Sequence, residues 1–182
     1  MANITQQELR SIIQDLHSEA ETTQLSQDLI SGTIDAQIYK NMCYQMYLIT
    51  DAIEHKIEKI DSRIFRRHQF VQDIIESPGG SVKICNSTRE YIEYINNMVL
   101  PDMTERLKGA IYVFYMGWLY GGQMIAKKLT LPVNHLQFDN VKSCIDYIRT
   151  VILKDLTDQD AIEARRAFAA VIAIYRELYE LH

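Results

Sequence analysis

The stretch Tyr112-Val-Phe-Tyr-Met-Gly117-Trp-Leu-Tyr-Gly121-Gly122-Gln-Met-Ile-Ala-Lys-Lys-Leu129 places three glycines inside an apolar run of helical pattern. Each glycine weakens a helix interior by ~1 kcal/mol relative to alanine. Three of them cost roughly 3 kcal/mol, a substantial share of a domain's usual net stability of ~5–15 kcal/mol. Something must offset that loss. Gly117 and Gly121 are four residues apart, so they form one bare stripe on which a second helix could lie. Alternatively the helix bends at Gly121-Gly122 and brings its backbone close to a planar ligand, with no Cβ atoms in the way. On the helix alone, packing is the simpler reading.

Working outward, the rest of the chain also reads as helices. Only three prolines and seven glycines occur in 182 residues, and they mark boundaries more than they fill loops. Thr5-Gln-Gln-Glu8 has the form of a capping box, followed by Leu9, Ile12, Ile13 and Leu16 on one helical face. A second helix is expected from about Ser18 to Ile30, with Gly32 as its C-cap. Ile38, Met42, Tyr47, Ile49, Ile53, Ile57 and Ile60 predict a long core helix over Thr33–Ile60. Arg63–Glu76 follows and ends at the breaker Ser77-Pro-Gly-Gly80. Ser87-Thr-Arg-Glu90 reads as a second capping box, opening a helix to Val99, and Pro101 suits the first turn of the glycine-containing helix. Asp139 can cap a helix to Leu156, and Thr157 another that carries Phe168, Ile172, Tyr175 and Leu178 to the end. Ser81–Cys85 is strand-like but too short to found a sheet. The expectation is one all-α domain over residues 1–182 with seven or eight helices.

Composition removes several classes of function. A net charge of −5 gives no basic field for nucleic acid. The amphipathic N-terminus lacks the apolar core of a secretion signal. The most apolar window, Ala110–Met116, falls short of the ~20 residues that span a bilayer. Cys43, Cys85 and Cys144 are odd in number and far apart, as expected of reduced thiols in a cytosol. The reading is a soluble, cytoplasmic monomer with no membrane or nucleic-acid partner.

Of five histidines, His55, His68, His135 and His182 lie in charged or terminal surroundings and read as solvated. His17 is different, because it closes the apolar stripe of the first helix. Neutral imidazole is a common metal ligand whose second nitrogen needs an acceptor, and Glu21, four residues on, can supply one. A lone histidine is more often structural.

Taken together these residues resemble a known family. Ala110-Ile-Tyr-Val-Phe-Tyr-Met-Gly-Trp-Leu-Tyr-Gly-Gly-Gln123 is similar to the distal-helix signature of the heme oxygenases, A-Y-x-R-Y-x-G-D-L-S-G-G-Q. Glu8-Leu-Arg10-x6-His17-x2-Ala20-Glu21 resembles their proximal-histidine segment. Gly32, Tyr47 and Glu54 also fall in register, as do Ala167-Phe168 and Glu177–Leu181, while 62–99 matches only loosely. The resemblance implies an all-α bundle with heme between a proximal and a kinked distal helix.

Carried over residue by residue, it makes His17 the ligand to heme iron, held by Glu21. Gly117, Gly121 and Gly122 lie at the distal face. Arg10 stands where the family has a propionate-pairing lysine, Tyr112 lies at the propionate edge, and Phe168 lies against the macrocycle. Arg149 is the candidate second propionate contact, with Lys142 as its rival. The implied chemistry is oxidative opening of heme, substrate and cofactor at once, to biliverdin, ferrous iron and carbon monoxide. It uses oxygen and electrons from a ferredoxin or flavoprotein reductase.

The pattern departs where protons are handled. The family's distal aspartate is Trp118, its serine is Tyr120 and its arginine is Phe114. Indole only donates and cannot relay a proton as a carboxylate can. Oxygenase activity, a peroxidase-like diversion, and heme or tetrapyrrole binding without turnover all stay open, so a carrier or sensor on the same fold is the alternative. A di-iron oxidase would need inward carboxylates and histidines. Glu54, His55, Glu58, Asp61 and His68 come nearest, but at mixed spacings among Lys56, Lys59 and Arg63.

Overall fold

A computed structural model describes residues 2–57, 60–98 and 103–181; Glu58, Val99, Pro101 and His182, which entered the sequence reading, lie outside these. The described residues form nine α-helices and no strand, beyond a single bridge between Asn3 and Thr157. They are α1 (Gln6–Ile12), α2 (Gln14–Glu21), α3 (Gln24–Ser31), α4 (Ala36–Glu54), α5 (Arg67–Glu76), α6 (Asn86–Asn96), α7 (Met103–Ile125), α8 (Val141–Tyr147) and α9 (Asp158–Glu180). None is long and apolar enough to cross a membrane.

Local chemistry accounts for most of the boundaries. The Thr5 box forms reciprocally: Glu8 N–H donates to Thr5 Oγ1 at 3.1 Å and Thr5 N–H to Glu8 Oε2 at 2.7 Å. Asp35 caps α4 by accepting from Gln37 N–H (2.8 Å) and Ile38 N–H (3.1 Å). Gly32 ends α3 at φ +79°, and a Cβ there would meet Lys128 O at 2.8 Å, so glycine is required twice over. At the start of α9, Asp160 Oδ2 accepts from Thr157 N–H at 2.7 Å and from its hydroxyl at 2.9 Å.

Five expectations are corrected. The first helix turns at Ile13 into α2, and the run expected over Ser18–Ile30 is divided at Thr22-Thr23, where Thr23 caps α3. The Ser87 box does not form. Glu177, ninety residues away, caps α6 instead, accepting from Asn86 N–H (2.6 Å), Ser87 N–H (3.0 Å) and Ser87 Oγ (2.8 Å). Asn140, not Asp139, caps α8 by accepting from Ser143 N–H at 2.9 Å. That helix loosens into a π-helical turn, Ile148–Ile152, short of Leu156. Ser81–Cys85 joins no strand, because α4 side chains take its backbone groups: Gln45 Nε2 donates to Lys83 O and Gln45 Oε1 accepts from Cys85 N–H. Finally, α7 ends early. It runs as α-helix through all its glycines to Ile125, four residues short of Leu129.

Helix α9 is the spine. It packs most extensively on α7 and also supports α2, α3, α4 and α6, while α4 packs on α5 and α6. Gly109 makes the main contact possible: a Cβ there would lie 2.2 Å from Asp160 O and 2.5 Å from Ala164 N. The N-terminal helices and α7 thus rest on a common support while making little contact with each other. The gap between them is the site.

Candidate functional site

A cavity of about 1240 Å3 opens between α1–α2 and α7, floored by α9. Pockets for small ligands and cofactors usually occupy ~300–1,000 Å3, so this one suits a large ligand. Arg10, His17, Glu21, Tyr112, Gly117, Trp118, Gly121, Gly122, Arg149 and Phe168 all line it. These ten candidates from the sequence line one cavity, and Lys142 is not among its lining residues.

The glycines divide by environment. A Cβ on Gly117 or Gly121 would meet nothing within 4 Å, so no helix covers that stripe and packing does not explain it. Gly122 is different: a Cβ there would come 2.6 Å from Leu136 Cδ2, which fixes the turn Asn134–Leu136 against α7. Within α7, close helix packing is the task of Gly109, and the bare stripe at Gly117 and Gly121 faces open space.

The α1–α2 wall presents one imidazole. His17 Nδ1 lies 3.6 Å from Glu21 Oε1, an ion-pair contact longer than a hydrogen bond, and both side chains are about half exposed. Phe168 from α9 meets the His17 ring edge-on at 5.6 Å between centroids. Nε2 has no protein partner among the described residues.

Positive charge gathers at the mouth. Burial raises the Tyr112 phenol pKa, while the charges of Arg10 and Arg149 pull it down, and all three residues line the cavity. Arg149 lies on the π-helical turn, a distortion common at functional positions. Gln6 of α1 ties that turn down by donating to Arg149 O at 2.8 Å, and the Arg149 guanidinium lies 5.7 Å from the Tyr120 ring centre.

The heme oxygenase family model matches residues 3–177. The chain belongs to the heme oxygenase family. Among curated proteins it is 24% identical to rat heme oxygenase 2 over 134 residues, covering 65% of this chain and 42% of the relative. Identity to the Macaca fascicularis heme oxygenase 2 is 23% over 202 residues, covering 93% of this chain and 64% of that protein. The chain thus spans about two fifths of the length of the rat relative.

Similar solved structures include heme oxygenase-1 from the cyanobacterium Synechocystis in complex with heme, with a TM-score of 0.82 at 20% identity, covering 96% of this chain and 92% of that one. Heme oxygenase from Leptospira interrogans gives a TM-score of 0.80 at 17% identity, covering 94% and 98%. These likenesses show the shared fold.

Trp118, the departure from the heme oxygenase pattern, is held by an aromatic cluster. Its ring lies 5.1 Å from Phe70, 5.0 Å from Tyr115 and 6.1 Å from Phe114, centroid to centroid. Tyr115 is fully buried and donates to Glu54 Oε1 at 3.0 Å, and that oxygen also accepts from Arg66 N–H at 2.6 Å. Burial raises the Glu54 pKa above its ordinary value. Among the described residues the di-iron arrangement finds no counterpart: Glu54 accepts from Tyr115 and Arg66, Asp61 pairs with Arg63, and His55 and His68 are exposed.

His135 is the functional-looking residue that the sequence reading misplaced. It was expected at the surface, yet it is 3% exposed and lines the cavity. Its ring stacks on Phe70 with centroids 4.3 Å apart, and its Nδ1 lies 2.5 Å from Asp73 Oδ2. Asp73 further accepts from His135 N–H, Asn134 N–H and Asn134 Nδ2. Burial lowers the His135 pKa, and Asp73 opposes that only in part. Cys43 brings a third metal-ligand type of atom within 4.8 Å of the pair. The 2.5 Å approach of nitrogen to oxygen is that of a hydrogen bond, and Asp73's oxygens are already taken by N–H donors, so the trio is a polar lock rather than a metal site. The cue in sequence was weak: Asn134-His135 follows Pro132, and only the fold delivers Asp73, sixty-two residues earlier.

Proposed function

We propose that this protein binds heme in the cavity between α2 and α7 and opens it oxidatively to biliverdin, ferrous iron and carbon monoxide. The observation that carries this reading is the bare stripe at Gly117 and Gly121, open for 4 Å beyond a would-be Cβ and sharing its cavity with His17. A flat macrocycle could approach such a stripe closely, and a neutral imidazole on the other wall would supply a nitrogen ligand for its iron. Bound heme brings its iron as the centre for oxygen activation, with electrons supplied by a ferredoxin or flavoprotein reductase.

The chain's own residues supply the rest. His17 Nε2 ligates the iron, with Glu21 as the acceptor that sets its tautomer. Phe168 meets the His17 ring edge-on and holds its plane. Arg10, Arg149 and the Tyr112 hydroxyl would receive the two propionates at the mouth, through bonds that charge on both partners strengthens. Apolar lining excludes bulk water from the ring.

One assay tests the reading. The heme complex, given ferredoxin, its reductase and NADPH in air, should lose its heme bands and yield biliverdin and free iron. The second reading, a heme carrier or sensor, is favoured by Trp118 standing in place of the carboxylate. Heme bands that persist through the assay would select it.

A further inference from the structure

Trp118 leaves the distal side without the family's carboxylate, yet a buried ionisable pair reaches the same cavity by another route. His135 lies on the Asn134–Leu136 turn, and that turn is fixed against the end of α7. Gly122 leaves room for Leu136, whose Cδ2 would lie 2.6 Å from a Cβ there, and Gln123 Nε2 donates to both Leu136 O (2.8 Å) and Trp118 O (3.2 Å). Phe70 stacks flat on the His135 ring and meets the Trp118 ring edge-on, so the imidazole and the indole share one aromatic wall. Arg66 Nη1 anchors the far end of the turn at Gln137 O, 2.8 Å away.

Asp73 fixes the tautomer. A carboxylate accepting from Asn134 and from the His135 backbone is an acceptor at the imidazole too, so Nδ1 carries the hydrogen. Nε2 is left with its lone pair. Among the described residues it makes no hydrogen bond, and it is not one of the polar atoms sealed without a partner in the core. The nitrogen therefore keeps some accessible surface, on a nearly buried residue that lines the cavity.

We propose that His135 Nε2 is the hydrogen-bond acceptor of the distal pocket, holding a water or small ligand beside the Gly117–Gly121 stripe, with Asp73 as its positioning residue. A water held there donates one hydrogen to Nε2. When that proton crosses to Nε2, hydroxide remains and the imidazolium is stabilised by Asp73 through Nδ1–H; the return step restores both. The pair can thus hold and give back a proton at a defined atom, which indole cannot. Burial keeps the resting ring neutral and ready to accept.

The inference rests on the heme reading, and carbon monoxide bound to the ferrous heme complex probes it separately. A lone pair facing the bound ligand raises the C–O stretching frequency relative to an apolar pocket, and a water held on that lone pair and donating to the ligand lowers it. His135→Leu should therefore shift the stretch to the apolar-pocket value, Asp73→Asn should broaden or shift it as the tautomer is released, and His68→Leu on the surface should leave it unchanged. Nitrogen-15 spectra of the unaltered protein need no variant. They should show a protonated Nδ1 and a bare Nε2 in His135, with the Nε2 signal moving when heme and carbon monoxide are added. An unmoved Nε2 signal, or a C–O stretch identical in His135→Leu, overturns the proposal while heme binding stands. Absence of any His17-dependent heme spectrum would instead overturn the reading beneath it.

Discussion

Replacing Gly117 by alanine should make the ligand-free protein more stable and the heme complex worse. A Cβ at Gly117 meets nothing within 4 Å, so the change removes glycine's helix penalty without a clash. That gain is ~0.5–1 kcal/mol. For a chain of this size 1 kcal/mol moves the melting temperature by ~2–4 °C, so the ligand-free protein should melt ~1–4 °C higher. Gly109→Ala is the opposing control. Its Cβ would press on the α9 backbone at 2.2 Å from Asp160 O and 2.5 Å from Ala164 N. Overpacking at the upper end of ~1–3 kcal/mol, less ~1 kcal/mol of propensity, leaves a net loss of about 2 kcal/mol. Melting should fall by ~4–8 °C.

Thermal unfolding with and without heme reads both effects. Added heme should raise the melting temperature of the unaltered protein, and raise that of Gly117→Ala by less, because the methyl group occupies the stripe the ring approaches. A Gly117→Ala protein that melts lower without heme would restore the packing explanation. One that is stabilised by heme as strongly as the parent would refute the close approach.

Arg10→Ala and Arg149→Ala should each weaken heme binding about three- to tenfold, or ~0.6–1.4 kcal/mol, in a spectrophotometric titration, while Lys142→Ala should not. Glu177→Gln should destabilise the protein by ~1–2 kcal/mol, because the α6 N-terminus loses its carboxylate cap. Burial raises the Glu177 pKa, but the bonds from Ser87 and Asn86 prevail and hold it below the usual carboxylate value. The stabilisation is therefore present above the unfolded-state pKa of ~4.3 and lost as pH falls through the lower folded value. Chemical denaturation at pH 7 and pH 3 should show the gap between parent and variant narrowing at the acid end. Trp118→Asp should cost about 2–3 kcal/mol, since it removes a ring packed on Phe70, Phe114 and Tyr115, and denaturant midpoints would show it.

Some residues that share the site were legible because each answers to a local rule. Gly117 and Gly121 violate helix propensity, and His17 and Glu21 share one helical face. Arg10, across the turn at Ile13 from His17, is assigned only by the family resemblance, as are Tyr112, Arg149 and Phe168. Helix ends set by neighbours were legible in the same way at Thr5, Gly32 and Thr157. What escaped depends on contacts that sequence distance conceals. Glu177 caps a helix ninety residues away, so the adjacent Ser87 looked like the cap. His135 looked solvated because its partner Asp73 and its platform Phe70 come from α5. Gly122 looked like part of the ligand stripe, yet Leu136 occupies its space. The end of α7 was placed four residues too late, at Leu129 instead of Ile125, while its glycine-rich stretch stays helical on the support of α9.

The most direct measurement of the central claim is the absorption and resonance Raman spectrum of added heme in the parent protein and in His17→Ala. The account predicts a histidine-ligated spectrum in the parent, lost in His17→Ala and restored by added imidazole. A histidine-ligated spectrum that survives His17→Ala unchanged would contradict it.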